Sequence, residues 1–315
     1  MKIAFLGGTR FIGLTAAKLA REHGHSIYLC HRGVSKTEHL NGFNQIILDR
    51  HDEETVKKAI QKISPDVLID CFAMTQSSAK TITKAISDIG LGKLILLSSQ
   101  DVYAQFGRLN GHKFDEIESL VTENSQKTVP KPFKDIMPHA GGDDYDKKDV
   151  EAIYSEFAKD NKLNLGILRL PAVFGFGDYQ MRFKGIIDFL SQGNTRIPHQ
   201  TEGNWKWTHG HVNDMAFAVL LLVEKLLKGI SIYNVGEYET PTMKQRVEMI
   251  AEVMKKNVVF FETDEVPDEL SVLKKKANDF VIDSTKIRNE IGYKETRSVI
   301  ESYEDTVKWI LSSAR

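Results

Sequence analysis

Two kinds of patterning alternate along the first half of the chain. Short apolar runs at 2–6, 26–30, 45–48, 67–71, 94–98 and 165–170 are rich in β-formers, and between them apolar residues recur at helical spacing over 11–23, 53–63, 78–89 and 145–160. Near-continuous apolar runs mark strands covered on both faces, and strands alternating with helices mark repeated βαβ units. The expected fold class is therefore α/β, a Rossmann-type doubly wound parallel sheet. The rhythm breaks at 105–144, a stretch rich in Lys, Glu, Asp, Gly and Pro with no clear period. Segments of that length are usually lids, binding elements or disordered. Beyond it the pattern predicts helices at 183–192, 212–227, 243–256, 267–276, 284–291 and 299–313, with strands at 231–235 and 258–262. This divides the chain into a main domain, 1–180 with about 205–230, and a smaller α/β substrate lobe from 181–204 and 231–315.

Composition adds exclusions. The 315 residues are 41% hydrophobic and 27% charged, and 42 basic against 43 acidic residues leave a net charge of −1. Such a chain buries a core without staples. Cys30 and Cys71 both fall in apolar runs, which suits small core residues in a reducing compartment better than a disulfide or a metal site. Near-neutral charge supplies no footprint for non-specific nucleic-acid binding, so a small-molecule substrate is favoured. The apolar start is too short for a signal peptide and no run reaches membrane-spanning length, so a cytoplasmic protein is expected.

The chemistry begins at Gly7, Gly8, Thr9, Arg10, Phe11, Ile12 and Gly13, which follow the first strand and open the first helix. A tight turn needs unusual φ, a phosphate needs backbone N–H groups with no Cβ in the way, and helix-to-sheet packing needs a small residue at Gly13. A plain strand-to-helix turn accounts for one glycine, not three in this register. The loop therefore reads as a dinucleotide site. At the end of the second strand a carboxylate would hold a ribose 2′-OH, but the sequence there is Cys30, His31, Arg32, Gly33. Arg32 and Arg10 together favour NADP over NAD as cofactor, although solvated surface arginines read equally well one at a time. Asp49 and Arg50, after the third strand, are placed either to cap an adenine or to form a turn.

Several stretches in this order resemble the extended and atypical short-chain dehydrogenase/reductase superfamily, in particular NAD-dependent epimerases/dehydratases with a GGTRFIG loop. Besides the loop they are Ser98 to Tyr103, Leu168 to Gly175, His211 to Ala216, Tyr233 to Gly236, and Asp283 to Tyr293. The resemblance spans nearly the whole chain. It implies a Rossmann-type domain with a small C-terminal substrate lobe, a homodimer, and cofactor contacts that include Ala73, Pro171 and Val173. It also implies proton chemistry by a serine, a tyrosine and a lysine four residues after the tyrosine, beside hydride transfer at the nicotinamide. Ser99 matches the serine.

The tyrosine and lysine depart from the pattern. Tyr145 is followed at the fourth position by Asp149, so the candidates are Lys148, which shares a helix face with Tyr145 at i+3, and Lys147, which lies four before Glu151. In the second alignment the tyrosine slot falls on Asp143. The bland alternative is a helix start capped by Asp143 or Asp144 with exposed lysines. Sugar-nucleotide members carry an Arg before the stretch matched here by His211 to Asp214, whereas this chain has Trp205, Lys206 and Trp207. Lys206 lacks the fork of Arg, and the tryptophans either stack a ring or pack in the core. Arg182, Lys184 and Arg196 are further cationic candidates, and His209 with His211 has metal-pair spacing but no third ligand.

The leading expectation is an NAD(P)-dependent oxidoreductase or epimerase/dehydratase acting on a small hydroxylated compound, such as a nucleotide sugar. Two others stand beside it: an RNA-binding protein of the chloroplast stem-loop type, and a regulator that binds NADP without turnover.

Overall fold

The computed structural model describes residues 1–34, 38–110, 113–114, 118–128, 145–200, 204–274, 276 and 278–313. Asp143, Asp144 and most of the aperiodic 105–144 stretch lie outside them. The first half runs β1 (Lys2–Leu6), α1 (Phe11–Glu22), β2 (Ser26–His31), β3 (Asn44–Ile47), α2 (Glu53–Ile63), β4 (Val67–Asp70), α3 (Gln76–Ala85) and β5 (Lys93–Ser99). It continues through α4 (Ala104–Leu109), β6 (Leu120–Val121), α5 (Lys147–Asp160), β7 (Asn164–Leu170), β8 (Ala172–Phe174), α6 (Lys184–Ser191), β9 (Arg196–His199) and β10 (His209–His211). The last third holds α7 (Val212–Lys225), β11 (Ile230–Asn234), α8 (Met243–Val253), β12 (Val259–Glu262), β13 (Val281–Ile282), α9 (Thr285–Ile291) and α10 (Val299–Ser313).

Seven parallel strands form the central sheet in the order β11-β7-β5-β4-β1-β2-β3. The doubly wound expectation holds. The order in which successive strands are added reverses between β1 and β4, which opens a crevice at the carboxyl ends of these parallel strands, the usual ligand position in open α/β sheets. One face is covered by α1, α7 and α9 through Leu14, Ala17, Val219, Leu222 and Ile287, and the other by α2, α3 and α5 through Val56, Ile60, Ile82, Val150 and Tyr154. Each large apolar side chain fully buried there contributes roughly 1.5–3 kcal/mol. Small residues set the spacing: a Cβ on Gly166 of β7 would stand 3.0 Å from the Leu222 side chain of α7.

The smaller lobe has its own core of α6, α8 and α10 around Ile187, Trp205, Val247, Leu270, Tyr303 and Ile310. Two expectations change here. The strand expected at 231–235 in the small lobe is β11, the outermost strand of the main sheet, where it pairs with β7 from Ile230↔Leu165 to Asn234↔Arg169. Its buried Tyr233 and Asn234 need a sheet neighbour, and β7 supplies it. The helix expected at 267–276 is a short 3₁₀ helix, Asp268–Leu273. Its buried Leu270 and Leu273 are three residues apart and so lie on one side of a three-residue turn.

Local signals explain most boundaries. Asp52 caps α2 by accepting from the Glu54 and Thr55 N–H groups, Thr75 starts α3 earlier than expected by accepting from Ser78, and Thr242 with Gln245 forms a capping box on α8. No helix among the described residues is long and apolar enough to cross a membrane.

Candidate functional site

The glycine loop sits at the β1–α1 junction beside the β1/β4 crevice. Gly7 has φ +90°, a left-handed conformation open to glycine, and its N–H donates to the Cys30 carbonyl of β2 at 2.9 Å. At Gly8 a Cβ would come within 2.8 Å of the Phe5 Cβ, and at Gly13 within 2.8 Å of the Gly8 Cα. All three glycines are thus demanded by geometry, two of them by close approach. Arg10 is the residue before α1, in extended conformation, and its side chain does not cap the helix. The first-turn N–H groups therefore keep their anion-binding capacity. Phe11 takes φ +45° and Thr9 is nearly buried, its carbonyl held by His39 at 3.0 Å. A glycine-rich backbone turn with no side-chain cap at the head of a helix fits a dinucleotide pyrophosphate.

Register carries Arg32 to the same end of the sheet, two residues beyond the Leu6↔Cys30 pair, where it is exposed. Asp49 follows β3 and its carboxylate accepts from the His51 N–H at 3.0 Å, a turn contact. Arg50 departs from the expected adenine cap. Its Nη1 and Nη2 bind both oxygens of Asp70 at 3.1 and 2.8 Å and its Nε binds the Ser78 hydroxyl at 2.7 Å. Asp70 is fully buried at the end of β4, and a buried carboxylate needs a countercharge. Burial pushes the Asp70 carboxyl upward, but Arg50, with help from the Tyr154 hydroxyl, outweighs it and holds the group below its ordinary value. Ala73, Pro171 and Val173 are buried, Ala73 in the layer beside α2 and α3 and Val173 in the layer beside α1 and α7.

The end of β5 carries the second cluster. Ser99 is half-buried and its hydroxyl accepts from the Asp101 N–H at 3.4 Å, capping the 3₁₀ turn Gln100–Val102. The Tyr145 hydroxyl donates to the Asp101 carboxylate, and both residues are buried. Tyr145 pairs with Thr75 across an antiparallel bridge and stands outside α5, which begins at Lys147 with Asp146 as its cap. This overturns two expectations. Tyr145 and Lys148 do not share a helix face, because Tyr145 is in extended chain, and the half-buried Lys148 Nζ lies 3.9 Å from Asp149. The cap is Asp146, whose carboxylate accepts from the Asp149 N–H at 3.2 Å, in place of Asp143 or Asp144.

Lys147 is the buried lysine. Its Nζ donates to the Leu97 carbonyl at 2.9 Å, and burial lowers its pKa against the pull of Asp101 and Asp70. Glu151, one turn on, binds the Ser98 hydroxyl at 2.6 Å and grips Arg169 of β7 in a two-pronged ion pair. Arg169 also donates to the Tyr103 hydroxyl at 2.7 Å, which in turn donates to Asn234. This network anchors the start of α5 to the ends of β5 and β7. Tyr103 borders a cavity of about 310 Å³ lined by Ala104, Gln105, Glu118, Val121, Ser125 and Gln126.

Burial raises the Tyr145 phenol well above its ordinary value, and the neighbouring Asp101 charge raises it further. Burial also raises Asp101, against the Tyr145 and Ser99 hydroxyls that favour its charged form. Asp101 was missed in the sequence. Its signal was an acid two residues beyond the serine at a strand end.

The remaining candidates serve packing. Trp205 and Trp207 stack with centroids 5.8 Å apart, and Trp205 is buried in the small-lobe core. His209 donates through Nδ1 to the Trp207 carbonyl at 2.7 Å, and His211 packs on Phe174. Among the described residues no three His, Cys, Asp or Glu side chains gather as a metal site. Arg182 pairs with Asp178, Lys184 with Asp188, and Arg196 lies over Phe261. Lys206 is exposed.

Known proteins bear on this geometry. The chain is 25% identical over 329 residues to the chloroplast stem-loop binding protein of 41 kDa b from Arabidopsis thaliana, covering 97% of this chain and 78% of the relative. Its fold is similar to UDP-glucose 4-epimerase of Thermotoga maritima solved with UDP-glucose, with a TM-score of 0.73, 18% identity and 100% coverage of both chains. It is also similar to dTDP-glucose 4,6-dehydratase of Bacillus anthracis solved with NAD, with a TM-score of 0.72, 17% identity, and 99% and 97% coverage of the two chains. At such identities the likeness is one of fold. Residues 3–236 match the sequence model of the NAD dependent epimerase/dehydratase family, and the chain belongs to that family.

Proposed function

We propose that this protein binds a nicotinamide dinucleotide on the 7–13 loop and transfers hydride to and from a hydroxyl-bearing carbon of a small substrate, with a nucleotide sugar the favoured class. The observation that carries the reading is the placement of two clusters on the carboxyl ends of one parallel sheet: a glycine-rich loop at β1 and a Ser99, Asp101, Tyr145 cluster at β5. The family membership, and the UDP-glucose and NAD named as ligands of the two similar structures, support it.

Gly7, Gly8 and Gly13 would cradle the pyrophosphate, with Thr9, Phe11 and Ile12 beside it. Arg10 and Arg32 favour NADP in this reading, since a guanidinium matches a 2′-phosphate and no carboxylate stands at the end of β2. The bound nicotinamide supplies the hydride acceptor and donor. Ser99, the partly exposed member of its cluster, would hold the substrate oxygen, and Tyr145 would exchange the proton. The buried Lys147 raises the potential around that exchange, the role that sequence spacing divided between Lys147 and Lys148. The cavity beside Tyr103 has the volume of a small ligand pocket, and its Gln105, Glu118, Ser125 and Gln126 side chains are suited to hydroxyls.

Calorimetry of the purified protein with NAD⁺ and NADP⁺, followed by product analysis with UDP-glucose and dTDP-glucose, tests the reading. Expected are micromolar cofactor binding, tighter for NADP⁺, and an epimerised, dehydrated or oxidised sugar. Absence of affinity for both cofactors would sink it.

A second reading has one observation in its favour, the relative named as a stem-loop binding protein. On that reading structured RNA shifts in a gel with a steep salt dependence. The net charge of −1 stands against it.

A further inference from the structure

The Tyr145–Asp101 contact is unlike the arrangement that a phenolate base requires. A phenol loses its proton readily beside a cation, which stabilises the phenolate. Here the Tyr145 hydroxyl donates to a buried carboxylate instead, so the charge facing the phenol is negative. The buried lysine of the network, Lys147, spends a hydrogen bond on the Leu97 carbonyl. Asp101 lies directly after Ser99 and Gln100, its second oxygen, Oδ1, is buried with no hydrogen-bond partner, and a tight enclosed space joins it to Tyr145, Asp146, Lys147, Lys148 and Thr128. A carboxylate in that setting has room for one more proton and reason to take it.

We propose that Asp101 is the proton acceptor behind Tyr145, so that the tyrosine hydroxyl works as a relay and the carboxylate holds the proton while the substrate is in its keto form. The inference rests on the hydride-transfer reading above. In the oxidising half-reaction the substrate C–H bond breaks and its electron pair leaves as hydride to the oxidised nicotinamide dinucleotide. The substrate O–H bond breaks, its proton passes to the Tyr145 oxygen, and the Tyr145 proton passes to Asp101 Oδ2. The products are a ketone, a reduced cofactor, neutral tyrosine and a protonated Asp101. The return half-reaction reverses each transfer.

The groups facing Asp101 are consistent with this assignment. Ser99 from β5 and Tyr145 from the segment before α5 stabilise its charged form, Lys147 on α5 does the same, and Glu151 on α5 opposes it. Glu151 is itself neutralised by Arg169 of β7. Tyr179 faces Tyr145 from the loop after β8. Burial is the largest influence on Asp101 and moves its titration upward.

Two measurements on the full chain with saturating NAD⁺ test the proposal. Carbon-13 NMR of labelled aspartate carboxyls is expected to show, besides Asp214, which burial also raises, a second group titrating above the ordinary value of about 3.9 and assigned to Asp101. That signal is lost in Asp101→Asn and moves still higher in Tyr145→Phe, which removes a hydrogen bond to the carboxylate. An Asp101 titrating at or below the ordinary value overturns the proposal. The second measurement follows reduction of bound NAD⁺ on adding UDP-glucose as a function of pH. Wild-type rate is expected to fall on the acid side with the pKa read by NMR. Asp101→Asn is expected to lose about 100-fold or more and its acid limb, the range typical of general acid–base groups, while Asp101→Glu recovers part of the rate and Tyr145→Phe loses a similar amount. An Asp101→Asn rate within threefold of wild type, or an unchanged acid limb, overturns it. A wild type that binds NAD⁺ but leaves UDP-glucose untouched defeats the substrate reading, and the carboxyl titration then decides alone.

Discussion

The Glu151–Arg169 pair offers the sharpest test of how the site is held. Arg169 of β7 and Glu151 of α5 are 2% and 7% exposed, joined by bonds of 3.0 and 2.7 Å, and Glu151 also takes the Ser98 proton at 2.6 Å. Glu151→Ala removes the countercharge and leaves a guanidinium buried with only the Tyr103 hydroxyl and the Glu123 carbonyl as acceptors. Breaking one partner of such a pair costs about 3–5 kcal/mol, chiefly because the remaining charge is uncompensated. Unfolding entropy of about 2.1 cal/mol/K per residue amounts to about 0.7 kcal/mol/K for a chain of this length, so the melting temperature is expected to fall by roughly 4–8 °C. Differential scanning calorimetry at pH 7 reads it directly. The double variant Glu151→Met with Arg169→Met removes both charges and is expected to melt above Glu151→Ala, since an apolar pair of similar volume avoids the stranded charge. A single variant within about 1 °C of wild type, or a double variant less stable than the single, would refute the reasoning.

Other consequences follow from the same contacts. Asp70 is held below its ordinary value because Arg50 outweighs burial, so its stabilising effect is present above about 3.9 and is lost as pH falls through the lower folded value. The gap in urea midpoint between wild type and Asp70→Asn should therefore close on acidification. His211 is pushed down to about 4 by burial, so the folded state disfavours its protonation and the associated stability is lost as pH falls from about 6.5 towards 4. A His211→Asn variant should show a flatter pH dependence of urea midpoint in that window, and an identical slope would count against the assignment. Gly13→Ala places a Cβ 2.8 Å from the Gly8 backbone, and because neither side can yield easily, NAD(P)⁺ affinity by calorimetry should fall at least about tenfold, near 1.4 kcal/mol. Thr242→Ala removes the capping box of α8 and should cost about 1 kcal/mol in chemical denaturation with the cofactor titration unchanged.

Much of this protein is legible locally. The sheet strands, α1, α2, α5, α7 and α10 follow from apolar period, and the glycine loop follows from three glycines at one βα junction, because each signal lies within a dozen neighbouring residues. The strands of two or three residues, β6, β8, β10 and β13, contain too few positions to show a period, and the four-residue β9, which includes Pro198, gave no strand pattern either. The 3₁₀ helix at Asp268–Leu273 has the same apolar spacing as a helix turn over so short a length.

The amino-acid order by itself determined the α/β class, the doubly wound sheet, the position of the glycine loop and the serine at the end of β5. Tertiary structure decided the rest. It took Arg50 from the expected cofactor face and committed it to Asp70, it put β11 in the main sheet, and it made Tyr145 a residue of extended chain whose partner is Asp101, 44 positions away. The physical reason is common to all three. Secondary structure and glycine turns are set by interactions a few residues long, whereas the partner of a buried charge or hydroxyl is whichever group the folded sheet brings beside it, and no spacing in the chain encodes that meeting.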